Sequence, residues 1–247
     1  MTLASIIHAL WIGGMTTQGV LATVLLSKKA WRRLPLFTCY SLFSFLATVT
    51  IYIIQKSPFA FFYCYWITET IGIVLGFAVV YEVFKHLFSV HGALLKLARL
   101  IFRCAIAGFL CIGLIMIFVQ TPNDIGGLGK GILVIEQATR IIEVGLLMFL
   151  FVCSSAFGLH WKQSEFGIAL GLGLFATVEL AVVTLLAEVG VQAADVLNVV
   201  RILAFNISLF IWLGYLLVPE RATSNAEVPK RAQLEQWNEA VMELISK

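Results

Sequence analysis

The chain has 247 residues, 60% hydrophobic and only 13% charged, with a net charge of +3 and a mean hydropathy of +0.96. A soluble domain carries about 45–50% apolar and about 25% charged residues, so the composition excludes one and predicts a polytopic all-α membrane protein. Five cysteines (Cys39, Cys64, Cys104, Cys111 and Cys153) have no CxxC spacing. They imply no disulfide framework and read as small apolar packing residues.

Crossing the hydrocarbon core takes about 20 apolar residues in a helix. Seven stretches qualify. Span 1, residues 3–26, has no basic residue before it and four just after it, so it reads as a retained reverse signal anchor. Its Thr16, Thr17 and Gln18 are expected to hydrogen-bond across helices. The charged turn 27–35 leads to span 2, residues 36–54, which ends before Lys56 and Pro58. Span 3 covers 61–84. The connection 85–103 is basic and amphipathic and suits an anionic inner leaflet. Span 4 covers 101–119, and the segment 121–131 after it is rich in turn formers. Span 5 covers 132–159. Span 6, residues 166–189, opens with Gly167-xxx-Gly171, a spacing that favours close helix contact inside the bundle. Span 7, residues 196–218, stops at Pro219.

Orientation follows from the basic residues. Thirteen of the 17 lysines and arginines fall in the odd connections and the tail, and only Lys56 and Lys130 in the even ones. That asymmetry predicts an outside N-terminus and a cytoplasmic C-terminus. Residues 1–218 would then form a seven-helix transmembrane domain, and 219–247 a cytoplasmic tail. Aromatic residues fit interfacial belts, with Tyr52, Phe61, Phe62, Tyr63, Tyr65 and Trp66 at the outer boundary. Trp31, Tyr40, Tyr81, Trp161, Trp212 and Tyr215 would mark the inner one.

Against this apolar background six ionisable residues stand out inside spans: Glu69, Glu136, Arg140, Glu143, Glu179 and Arg201. All fall in the half of the bilayer assigned as outer. A charge in hydrocarbon costs at least ~2.5–3.5 kcal/mol, so such groups face the protein interior or a wet cavity. Glu136, Arg140 and Glu143 are spaced i, i+4, i+7 and share one helix face. Arg140 is expected to pair with Glu136 or Glu143, and Arg201 with Glu69 or Glu179. Four acids and two bases leave a formal −2. One or two glutamates are therefore protonated, or a cation is bound, or water reaches the site. Two readings stand: a ligand or ion pocket, or a polar lock that fixes helix register.

Other chemistry is sparse. His8 is the only histidine deep in a span, so facing axial ligands for a b-type haem are not expected. His86, His91 and His160 read as residues of solvated edges. There is no HExxH, no Ser–His–Asp arrangement, no zinc spacing, and nothing that points to nucleic acid or to a cofactor. The sequon at Asn206 lies in a span and is discarded. In the tail, Pro229 opens a helix to residue 245, in which Leu234, Trp237, Val241 and Leu244 are spaced 3, 4, 3. This stripe is expected to dock on the bundle or on a protein partner. A tail of this length is not expected to hold a kinase or cyclase.

Seven spans with an outside N-terminus are the arrangement of rhodopsins and of the seven-helix sensor regions of membrane histidine kinases. Span 7 has no lysine for a Schiff base, so a retinal pigment is excluded. The segments Tyr81-Glu82-Val83-Phe84-Lys85-His86, Phe166-Gly167-Ile168-Ala169-Leu170-Gly171 and Ile211-Trp212-Leu213-Gly214-Tyr215 resemble bacterial seven-helix membrane proteins with no assigned activity. The likeness to kinase sensor regions is more distant. These resemblances imply a multi-pass protein of a bacterial inner membrane and carry over no function; because paired catalytic groups at the spacings of intramembrane proteases are not found, no enzyme activity is expected. The expected function is a sensory or ligand-binding module with an outward polar pocket, acting through a separate partner. The alternatives are a small proton-coupled carrier and an accessory subunit of a membrane complex. All five prolines lie outside mid-span positions, which disfavours the broken helices that carriers often use.

Overall fold

The computed structural model describes residues 3–87, 100, 104, 107–108, 125–156, 163–189 and 194–218. The regular structure in these residues is helical: α1 (Leu3–Ser27), α2 (Pro35–Ile54), α3 (Pro58–Leu87), α4 (Ile125–Ala156), α5 (Gln163–Val189) and α6 (Ala194–Leu217), with a 3₁₀ turn at Ala30–Arg32. Span 4 is described only at positions 104, 107 and 108. The tail stripe of Leu234, Trp237, Val241 and Leu244 lies outside the described residues.

Five helices are long and apolar enough to cross a membrane: Ile7–Ser27, Pro35–Ile54, Phe59–Leu87, Gln163–Leu186 and Ala194–Leu217. The sixth, α4, has the length (32 residues) but places Glu136, Arg140 and Glu143 within eight residues. Large apolar side chains such as Ile53, Phe59, Val74, Met148, Val152 and Phe210 project from the helix surfaces. In water such a surface would drive aggregation; in lipid it is the ordinary outer face of a bundle. The chain is a multi-pass helical membrane protein.

The expected boundaries hold to a few residues except in α4, which starts at Ile125 inside the glycine-rich segment read as a loop. Each interior glycine costs a helix about 0.8–1 kcal/mol.

Side-chain contacts give the helix directions. His8 and Trp11 contact the Tyr52 ring while Gln18 meets Ser44, so α1 and α2 are antiparallel. Asn206 Nδ2 reaches the Leu10 carbonyl and Lys28 Nζ the Leu216 carbonyl, so α1 and α6 run in the same direction. Glu69 meets Arg140 and Phe84 stacks on Phe149, so α3 and α4 are also parallel. Gln137 meets Thr184 and Phe151 meets Phe166, which sets α5 antiparallel to α4.

The two ends of the bundle differ. At one end Leu25, Phe37, Val83, Phe84, Leu150, Ile168 and Trp212 form a close-packed core. Here the Gly167 spacing acts as expected. A Cβ on Gly167 would overlap the Tyr215 side chain, and one on Gly171 the Trp212 indole, so α5 and α6 approach only because both are glycine. Trp212 Nε1 donates to the Ile168 carbonyl at 3.3 Å, and Ser208 Oγ to the Gly171 carbonyl at 2.9 Å. Tyr40 and Trp212, expected at an interface, are buried instead. Trp212 gains its indole partner inside the bundle, which removes the need for a wet edge.

Three smaller expectations are corrected. Cys39 and Cys104 are exposed and Cys64 half-buried; a thiol is apolar enough to face lipid. Thr16 and Thr17 donate to the Gly13 carbonyl of their own helix, and only Gln18 bonds across to α2. His86 lies in the last turn of α3, with Nδ1 3.5 Å from Glu165 Oε1, and so belongs to the bundle.

Candidate functional site

The end opposite the packed core holds the charges. A helix face can present a guanidinium to two neighbours at once, because its fork carries five N–H donors in a plane. Arg140 on α4 does this. Its Nη2 lies 2.9 Å from Glu69 Oε1 on α3, and its Nη1 lies 3.0 Å from Glu143 Oε2 one turn along α4. Arg201 on α6 makes the second bridge. Its Nη2 lies 2.9 Å from Glu179 Oε2 on α5 and 3.1 Å from Glu136 Oε1 on α4. The six residues therefore form two triads, each with one arginine between two glutamates. α4 contributes to both, so a single helix ties α3, α5 and α6 together.

Each arginine takes one of the two acids expected for it, and the remaining acid of each pair goes to the other arginine. Arg140 pairs with Glu143 but not with Glu136, and Arg201 pairs with Glu179 but not with Glu69. Both exchanged acids leave the anticipated partner for an arginine on a neighbouring helix. The i, i+4 spacing of Glu136 and Arg140 permits a contact, yet the interhelical bridge gives both guanidiniums two carboxylates each. Pairing within α4 alone would leave the half-buried Glu69 without a cation, which is the costlier arrangement.

Burial is graded. The side chains of Glu179, Glu143 and Arg140 are only 3%, 6% and 8% exposed, whereas Arg201 and Glu69 reach 26% and 28%. The graded side is a cavity of about 410 Å³, lined by residues from all six helices. Five of the six charges line it: Glu69, Arg140, Glu143, Glu179 and Arg201. Glu136 stands behind Arg201. The rest of the wall is mostly apolar and aromatic, with Trp11, Tyr40, Tyr65 and Phe175 among its rings, and Arg140 sits over the Phe175 ring at 5.6 Å. Gln18, Ser44, Asn198 and Asn206 supply uncharged polar groups. A concave, largely apolar space of this size with a few convergent polar groups is the usual form of a small-molecule site.

Two glycines on α3 give the cavity its room. Gly76 faces Glu143, whose Oε1 would lie 3.4 Å from an added Cβ. Gly72, one turn closer to Glu69, has nothing within 4 Å of such an atom. Among the described residues, no three of His, Cys, Asp and Glu are grouped to hold a metal ion.

Several site residues are not evident in the sequence. Tyr65 and Phe61, read there as interfacial, line the cavity, as does Tyr40. Glu82 is a further buried acid, at the packed end. Its two oxygens accept the Leu36 and Phe37 backbone N–H groups at 3.0 and 2.9 Å and so cap the start of α2. Pro35 occupies the first turn of α2, where no side chain caps the helix locally, so the distant Glu82 fills that role.

Compared with protein families, curated proteins and solved structures, the chain matches none.

Proposed function

We propose that this protein is a seven-helix, ligand-binding membrane module, sensory in role, whose outward-facing pocket ends on the two Arg–Glu triads and which signals through a separate partner. The observation that carries the reading is the cavity over the triads. A polar lock needs paired charges but no space beside them, whereas five of these six charges border about 410 Å³ of it.

Two further features support the topology. Helices α3 and α4 run in the same direction, so the segment between Leu87 and Ile125 begins at one end of the bundle and finishes at the other. A membrane crossing at 101–119 meets that requirement and brings the count to seven. The packed end carries Lys28, Lys29, Arg32, Arg33 and Lys85, which favours it as the cytoplasmic end and the cavity as the outer one.

The test is steric. Gly72→Leu fills open space in the cavity and leaves every charge in place. Ligands retained by the wild-type protein through mild purification are detected by native mass spectrometry and should be missing from this variant while it keeps its fold. Equal retention by both would overturn the pocket.

A further inference from the structure

Resting on that reading, we infer that the pocket takes a small organic cation with N–H donors, an ammonium carrying an aromatic or aliphatic group, and rejects the matching anion. The first ground is charge. Each guanidinium is already neutralised by two carboxylates at 2.9–3.1 Å, so each triad carries a formal −1 when all its members are ionised. An entering anion would meet Glu69, Glu143 and Glu179 on the wall and would have to displace one to reach an arginine. The Nε atoms of Arg140 and Arg201, which have no acceptor, are themselves buried from solvent. An entering cation meets surplus carboxylate.

The second ground is independent of the triads. Gln18 is 3% exposed and lines the cavity, and its Oε1 accepts no hydrogen bond. Its Nε2 is turned to Ser44 Oγ at 3.4 Å. A buried amide oxygen without a donor is costly; it is as far from solvent as the two Nε atoms, so an ammonium N–H meets it once the Gln18 side chain turns toward the cavity. The third ground is the wall. Trp11, Tyr40, Tyr65 and Phe175 line the same space, and aromatic rings attract organic cations that approach their faces. A bare metal ion fits less well, since the carboxylates are divided between two guanidiniums and no three ligands converge among the described residues.

The experiment uses the full chain in detergent or nanodiscs and three probes of one shape: 2-phenylethylammonium, 2-phenylethanol and 3-phenylpropanoate. Binding is read by calorimetry. The ammonium should bind saturably and the other two should not. Glu143→Gln should weaken it by about tenfold or more, the effect of losing one charge-assisted contact. Glu69→Gln, at the exposed rim, repeats the test should Glu143→Gln not fold. Ammonium binding that both variants leave unchanged overturns the inference. Alcohol or carboxylate binding as tight as the ammonium, and abolished by Gly72→Leu, also overturns it while leaving the pocket standing. Binding of none of the three overturns the inference and the pocket together.

Discussion

At the packed end α5 and α6 meet through Gly167 and Gly171, with no room for a methyl group against Tyr215 and Trp212. At the cavity end the same two helices meet through the 2.9 Å bridge between Glu179 and Arg201, beside open space. Small residues let backbones approach and give tight packing without polar groups, which is how helices associate where lipid is as apolar as the side chains. Charges hold helices at arm's length and need one another. One end thus fixes the bundle, and the other leaves a polar chamber whose charged wall the fold has to stabilise from both sides.

Breaking the charged end should have the largest effect. Arg140→Gln leaves Glu69 and Glu143 without their cation, and removing one partner of a buried pair costs about 3–5 kcal/mol. Thermal unfolding in detergent should register it, with a smaller loss for Arg201→Gln because that side chain is 26% exposed. Equal losses would contradict the burial gradient. At the packed end Gly171→Ala should cost about 1–3 kcal/mol through overlap with Trp212. Gly13→Ala, with nothing within 4 Å, is its control and should be neutral or mildly stabilising in the same assay. Glu82→Gln keeps the shape of the α2 cap but removes its charge, for a loss of about 1 kcal/mol. The smallest stability change belongs to Gly72→Leu, within about 0.5 kcal/mol of wild type. Its effect falls on ligand binding alone, which separates a chamber from a lock.

Much of this contrast was legible in the sequence. Apolar run lengths gave the helices, and the six charges announced themselves because nothing else in the spans is ionised at comparable depth. The Gly167-xxx-Gly171 spacing marked the tight contact. Pairing was legible in part: Arg140–Glu143 and Arg201–Glu179 were among the expected pairs, but the spacing that shows which face Glu136 occupies does not show that Arg201 of a distant segment lies against that face. The aromatic residues misled for a related reason. Tyr40 and Trp212 sit at interfacial depth in the sequence, and depth alone does not separate a ring facing lipid from one facing inward. Glu82 was missed because an acid beside Lys85 and His86 reads as a solvated span end, and its partners are backbone groups of another helix.

The most direct measurement is side-resolved labelling of Gly72→Cys in a variant whose five native cysteines are replaced by alanine. A charged, membrane-impermeant methanethiosulfonate is applied to right-side-out and to inside-out vesicles. An outward chamber predicts modification only from the outer side, at a rate slowed by any ligand that occupies the cavity. Modification only in inside-out vesicles would reverse the orientation. A thiol that reacts after denaturation but from neither side in the folded protein would mean that no open chamber lies above the triads.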